Sequence, residues 1–420
     1  MRITKLYVLS AVCLLCAYPM TEAKAEGFSL TQWSSRGMSL AGGMVGRADD
    51  PSAIAYNAAG ITQLPGTQVM AGFASISPES SFVFERDGSQ TSAAAKFHSL
   101  TLPYAYLTRQ LNDRFWLGLG MFSRFGLHHE FPADWPGRYE QTSMKFKTFS
   151  FMPTAALKVN EALSVSAGLE IMHASFAMGE QIQCLQLQGK ADDIQMTLDG
   201  SGWGVGVHLG VHFRMTDKLT LGFAYKSPVT LNIDGSADFS RYDANLLAEQ
   251  GEVPHAAPTG IHSQVRLPDS FALGLTYRPL DNLSVEVGTV FTRWSAFDSL
   301  NVRFDSDFLS TDKKEWRDGW NFNASVEYEP MDWLALRAGI WHETPVANEA
   351  HADFTLPSSG RTGVSLGTGL KWENWRLDLS YAHVWMRERS YPRLDAVNVS
   401  RGASRDLSAD MVSLSIGYAF

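Results

Sequence analysis

The chain has 420 residues, 45% of them hydrophobic, with 35 Gly, 24 Phe, 13 Tyr and 12 Trp, a content that excludes disorder and a coiled coil. Its formal charge of −9, without a basic block, excludes a surface built for nucleic acid. No run of about 18 apolar residues occurs, which excludes a helical transmembrane protein.

In chain order, the first segment reads as a secretory signal. Arg2 and Lys5 give a positive start, and Leu6 to Tyr18 is an apolar stretch broken only by Ser10. Ala23-Lys24-Ala25 is a small-x-small cleavage site, so residues 1–25 are expected to be removed. Cys13 and Cys16 leave with them. Cys184 is then a lone thiol, and no intramolecular disulfide framework forms.

Residues 26–67 make a second unit. Arg36 to Gly46 is small and Gly-rich without strand alternation, and it continues through Asp49, Asp50 and Pro51 to Asn57-Ala58-Ala59-Gly60. Phe28, Trp33, Leu40 and Ile54 within it need burial, which a free tail would not provide.

Residues 68–420 have a period of two. Leu219, Leu221, Phe223 and Tyr225 alternate with Thr220, Gly222, Ala224 and Lys226, and Val412, Leu414, Ile416 and Tyr418 with Ser413, Ser415, Gly417 and Ala419. In a strand this gives one apolar face and one small or polar face. Six short connectors join strand pairs: Gln110–Asp113, Val159–Glu161, Met215–Asp217, Pro279–Asn282, Pro330–Asp332 and Trp372–Asn374. Longer polar segments at 77–95, 126–143, 179–200, 234–263, 297–317, 345–359 and 389–407 separate the pairs.

That segregation predicts an all-β protein, a 14-stranded antiparallel transmembrane β-barrel of the bacterial outer membrane. Both termini then fall on the short-turn, periplasmic side. Lipid cannot satisfy an open sheet edge, so the barrel must close. Its lumen is wider than wall side chains fill, so residues 26–67 are expected to lie inside as a plug. The terminal Phe420 suits recognition by the outer-membrane assembly machinery.

Several runs make the chain similar to the FadL family, outer-membrane transporters of long-chain fatty acids and other hydrophobic compounds. They are Ala48 to Ile61, Leu267-Pro268-Asp269-Ser270 with Thr292-Arg293-Trp294-Ser295, Trp316-Arg317-Asp318-Gly319-Trp320, Leu336-Arg337-Ala338-Gly339, Thr344-Pro345-Val346 and the final Gly417-Tyr418-Ala419-Phe420. The resemblance spans nearly all of the exported chain. It implies an N-terminal hatch, a lumenal binding site, hatch movement and lateral opening.

It also implies site residues. Arg317, flanked by Trp316 and Trp320, would take the ligand carboxylate, as a guanidinium offers two parallel bonds. Phe28 would line the tail pocket. His173 and Ser175 stand near where the family carries a second cation, and would serve as donors instead. The family usually reads Asn-Pro-Ala where this hatch reads Asn57-Ala58-Ala59. Lateral opening would use a kink in the third strand, expected within Arg114–Phe125, where Gly118 and Gly120 weaken the ladder.

Glu286, Arg337, Arg376 and Asp378 are expected to pair in the lumen, and Trp116, Trp294, Trp333, Trp375 and Tyr381 to anchor the membrane interfaces. An enzyme is not expected. Gly363-Val364-Ser365-Leu366-Gly367 matches G-x-S-x-G but lies in an alternating strand, where no elbow exposes the Ser. No cofactor is called for, His128-His129-Glu130 lacks metal-site spacing, and no Walker motif occurs, so movement would follow a gradient. The expected partners are a long-chain fatty acid or other hydrophobic small molecule, outer-membrane lipid and the assembly machinery. Uptake of aromatic hydrocarbons or alkanes, and a structural or adhesin barrel, stand as alternatives.

Overall fold

The structure is a computed structural model and describes residues 27–86, 89–94, 96–97, 99–182, 194–240, 258–348, 354, 360–391 and 399–420. Residues 1–25, read from the sequence as a secretory signal, and Cys184 lie outside these residues.

Fourteen antiparallel strands form the wall. β1 is Thr67–Arg86. β2 is built from Ser89–Ala94, Lys96–Phe97 and Leu100–Gln110, and β3 from Phe115–Phe122 and Gly126–Glu130. β4 is Ser143–Lys158, β5 Leu163–Ile182 and β6 Ile194–Thr216. β7 joins Leu219–Lys226 to Val229–Ser240, and β8 joins Thr259–Leu267 to Ser270–Leu280. β9 is Leu283–Thr292, with an outer hairpin of Ser299–Phe304 and Leu309–Lys313. β10 is Gly319–Met331, β11 Leu334–Glu343, β12 Arg361–Trp372, β13 Trp375–Met386 and β14 Val399–Ala419. The sheet closes because β1 pairs with β14, from Gln68 opposite Ala419 to Arg86 opposite Val399.

The six short connectors fall where the sequence puts them, all at one rim. The long segments differ from expectation. β1 runs to Arg86 and returns at Ser89, β5 runs to Ile182, and β14 begins at Val399, so much of 77–95, 179–200 and 389–407 is strand. The cause is visible in β6. Its outward face reads Trp203, Val205, Val207, Leu209, Val211 and Phe213 on one stretch, and Thr197, Asp199 and Ser201 beyond it. The apolar stretch matches the 9–11 residues that cross a bilayer, and the polar stretch is the same strand continuing into water. Polarity there marks the solvent and not a loss of strand.

The inward faces are small or polar. In β6 they are Gly204, Gly206, His208 and Gly210. This leaves room for residues 27–66, which carry short helices α1 (Ser35–Ser39) and α2 (Ala53–Tyr56) and a 3-10 turn at Ala58–Gln63. Ser34 caps α1, its hydroxyl accepting from Gly37 N at 3.0 Å. Polar bonds tie the segment to opposite parts of the wall. Ser35 meets Ser380 and Ser415, and Asn57 Nδ2 donates to Val211 O. The carboxylate of Glu286 accepts from the backbone N–H groups of Val45, Gly46 and Arg47. At the outer end Phe82, Phe84, Phe131, Trp135, Phe354 and Tyr391 form an aromatic cluster, with Phe131 and Trp135 stacked at 3.8 Å.

Candidate ligand-binding lumen

The site begins at an interruption in β3. Phe122 pairs with Ser150 and Gly126 with Lys147, so three residues of β3 oppose two of β4, and Ser123–Phe125 bend inward. Segment 28–30 takes up the freed backbone groups. Leu30 N donates to Arg124 O at 2.8 Å, Gly126 N donates to Phe28 O at 3.1 Å, and Ser29 bridges Phe125. On the other side, Leu100–Tyr104 of β2 pair with β1 and, among the described residues, not with β3. An opening of about 550 Å³ results, lined by Leu100–Pro103, Phe125, Lys147, His173 and Ser175 among others.

The break lies within Arg114–Phe125, at its far end and not at Gly118 and Gly120. Both glycines sit in regular ladders, opposite Thr108 and Tyr106. They serve close approach instead. A Cβ at either would lie 2.8 Å from the Ile54 side chain of α2. Arg124 O and Gly126 N find partners in residues 28–30, Phe125 N and O in Thr148, and Ser123 O in Trp33 Nε1, so the bend needs no glycine at its centre.

Phe28 is enclosed by an aromatic box. Its ring centroid lies 6.0 Å from Phe125, 5.5 Å from Phe146, 4.8 Å from Trp294, 5.8 Å from Phe297 and 5.7 Å from Trp316, all edge-to-face. Such T-shaped contacts favour the ring quadrupoles. Trp316 thus meets Phe28, but its two companions do not. Arg317 is exposed, its backbone N bonded to Val346 O. Trp320 lies on the outer face of β10, stacked on Phe322 at 5.9 Å. The cation that lines the Phe28 cavity, about 500 Å³, is Lys314, fully buried with Asp312 2.5 Å away.

His173 and Ser175 are also apart from Phe28. They face outward on β5 beside the β3 opening, where His173 packs on Trp203 at 4.7 Å and Ser175 lies opposite Lys147. Trp333, Trp375 and Tyr381 are exposed on the outer surface, whereas Trp116 and Trp294 point inward. Trp116 Nε1 donates to Leu64 O at 2.8 Å, and Trp294 belongs to the Phe28 box.

A second chamber, about 690 Å³, lies on the β7–β10 side of segment 29–33. Trp33, Tyr56, Val290 and Ala272 line it, together with Arg124 and Lys226. Arg124 is paired with Glu170 at 2.5 Å. Lys226 is buried, its ammonium 4.4 Å above the Trp33 ring, and among the described residues it has no ion pair. The sequence placed Lys226 on the polar face of its strand but gave no sign that it met Trp33.

The Asn57-Ala58-Ala59 run is fixed at both ends. Asn57 Oδ1 accepts from Ala59 N at 3.3 Å, capping the 3-10 turn, and Asn57 Nδ2 donates to Val45 O at 2.9 Å. Ala58 opens the turn, where a helix N–H has no internal partner. Further along, Ser365 is mid-strand in β12, its hydroxyl donating to Ser39 O at 3.0 Å.

A closed outer-membrane barrel, filled by its own N-terminal segment and holding apolar chambers with buried cations, defines a transporter of hydrophobic compounds. The chain matches, over residues 16–420, the family described as "Outer membrane protein transport protein (OMPP1/FadL/TodX)", and it belongs to that family. It is 23% identical to outer membrane protein P1 of Haemophilus influenzae, over 95% of this chain and 96% of that one. It is likewise 23% identical to the long-chain fatty acid transport protein of Salmonella typhi, over 86% of this chain and 88% of that one. A Pseudomonas aeruginosa FadL homologue shares the fold with TM-score 0.82 and 20% identity, covering 94% of this chain and 99% of the other. The Ralstonia pickettii toluene transporter TbuX does so with TM-score 0.70 and 17% identity, covering 94% and 100%.

Proposed function

We propose that this protein takes up long-chain fatty acids by passive diffusion, through the Phe28 box and the Lys226 chamber. The observation that carries this reading is Lys226, a buried cation in an apolar chamber without a carboxylate among its described lining residues. An ammonium in such a place is costly unless a counter-charge arrives, and an acyl carboxylate supplies one while its tail fills the apolar wall. Lys314 at the Phe28 cavity gives an earlier contact for the same head group. Residues 26–67 act as the plug of the barrel at 68–420. Displacement of Phe28–Leu30 from Arg124–Gly126 would join the chambers to the β3 opening, and release through the wall follows there. The same family includes proteins described as toluene transporters, which keeps neutral hydrocarbons as the second substrate class.

The test uses purified full-length protein and a strain lacking it. Deletion should abolish growth on oleate as sole carbon source. Lys226→Met should weaken palmitate binding about tenfold, a loss near 1.4 kcal/mol, with the barrel still heat-modifiable on gels. Unchanged palmitate affinity in a folded Lys226→Met barrel would overturn the role given to that cation.

A further inference from the structure

On the outer surface beside the β3 opening, the wall changes character at a definite height. Phe149 of β4, His173 of β5 and Trp203 of β6 stand directly opposite one another and form one row. Below it the outward residues are Phe151, Ile171 and Val205, then Leu169 and Val207. Above it they are Lys147, Ser175 and Ser201, then Lys145, Ala177 and Asp199. Successive rows lie about 7 Å apart along a strand. Aromatic rings between an apolar and a polar surface mark the edge of the hydrocarbon, so both lysines stand at the level of the outer-leaflet head groups.

Lys145 and Lys147 are exposed, and among the described residues neither side chain makes an ion pair or a hydrogen bond. The nearest charges are engaged or distant. His128, opposite Lys145, lies 3.8 Å from Glu130, and Asp234, opposite Ser201, lies 2.6 Å from His262 Nδ1. Asp199 is two strand spacings from Lys145, about 10 Å, which is close to the screening length in salt. Lys147, Ser175 and His173 also border the opening of about 550 Å³ left where Leu100–Pro103 part from β3.

We propose that Lys145 and Lys147, with the Ser175 hydroxyl and the His173 imidazole, bind the phosphate of an outer-leaflet glycolipid whose acyl chain lies across the β3 opening. Two ammonium groups one row apart hold a multiply charged head group through charge-assisted bonds. The chain below it packs on Phe149 and Phe151 and supplies contact atoms to a gap that otherwise lacks them. Lys145 stands one row beyond the residues that line the opening. A departing monocarboxylate would use Lys147 alone, whereas a phosphorylated head group spans both. The proposal rests on the outer-membrane location and not on the fatty-acid reading, so the two fail separately.

Native mass spectrometry of the full-length protein in detergent tests it, with bisphosphorylated lipid A, its dephosphorylated form, inorganic phosphate and palmitate as probes. The phosphorylated lipid should bind about thirtyfold more tightly than the dephosphorylated one, the effect of two lysines at a charged lipid surface. Replacing both lysines (Lys145→Gln with Lys147→Gln) should erase that preference. Lys218→Gln, exposed at the short-connector rim, should keep it. A diazirine in the acyl chain should label Thr101, Pro103 and Phe149, and millimolar inorganic phosphate should leave the lipid bound. Equal affinity for the two lipids, loss of the preference in Lys218→Gln, displacement by inorganic phosphate alone, or labelling confined to strands away from β2–β5 would each overturn the proposal. A double variant that binds lipid A normally but loses palmitate would make these lysines a contact of the transported acid, and would overturn it as well.

Discussion

Arg36 in the N-terminal segment grips Glu327 of β10 at two points, Nε to Oε2 at 2.8 Å and Nη2 to Oε1 at 2.6 Å. The pair is the centre of a buried network. Arg36 also bonds Asp49 and Asp50, Arg278 bonds Asp49, and Arg337 joins Glu327 to Asp378, which Arg376 shares. Four guanidiniums face four carboxylates, so the network is neutral and its members compensate one another's desolvation. Removing one acid leaves a buried charge unpaired, at a cost of about 3–5 kcal/mol. Glu327→Gln should lower the thermal midpoint, expose residues 27–66 to protease and raise conductance in planar bilayers. An unchanged cleavage pattern would show that this pair does not hold the segment in place.

Trp316 and Trp320 separate by environment. Trp316→Ala opens a cavity beside Phe28 and should weaken palmitate binding about tenfold. Trp320→Ala removes a ring from the outer surface and should leave binding unaltered. Titration calorimetry on both variants checks the contrast, and equal losses would contradict the placement of the two rings.

Ala58→Pro should be tolerated. The first position of a helix is where proline fits best, and Asn57 before it is already extended at φ −153 and ψ 96. Restricting the unfolded chain should stabilise by about 0.4–1 kcal/mol, read as a higher urea midpoint. A lower midpoint would mean the ring collides with its buried surroundings.

Glu180 lies on the part of β5 that stands above the bilayer, paired with Met196. Burial, reinforced by the Asp312 carboxylate, pushes its pKa up to about 7 from 4.5. The neutral form is favoured in the folded protein, so this stabilising contribution is full below 4.5 and is lost as pH rises through about 7. Above that pH a new anion appears near Asp312, the partner of Lys314. Palmitate affinity should fall between about pH 6 and pH 8 in the native protein, and Glu180→Gln should flatten the profile. A slope identical in both would place its origin elsewhere.

The strand number and the short rim were legible because each short connector is set by local chemistry, as with the Asp and Asn residues at 112–113 and 281–282. The anchor role expected of Trp116 fails on parity, since the ring shares the inward face with Gly118 and Gly120 and not the outer face with Leu117. Trp316 and Trp320 were not separable by parity. Residues 314–318 leave the strand, with Lys314 N and Glu315 N both bonded to Asp298 O and Glu315 at φ +45, so the alternation starts afresh at Gly319. Lys226 over Trp33, and Trp294 against Phe28, join residues far apart in sequence. No local pattern encodes such meetings.

The height of β6 has a consequence for how cargo arrives. Its 23 residues exceed what the bilayer requires, and at about 3.3 Å per residue the surplus rises some 30 Å along a tilted path. The cylinder thus stands like a chimney through the sugar coat that covers the outer leaflet. Greasy molecules, which that hydrated layer repels, can descend within the flue without ever dissolving in the coat itself.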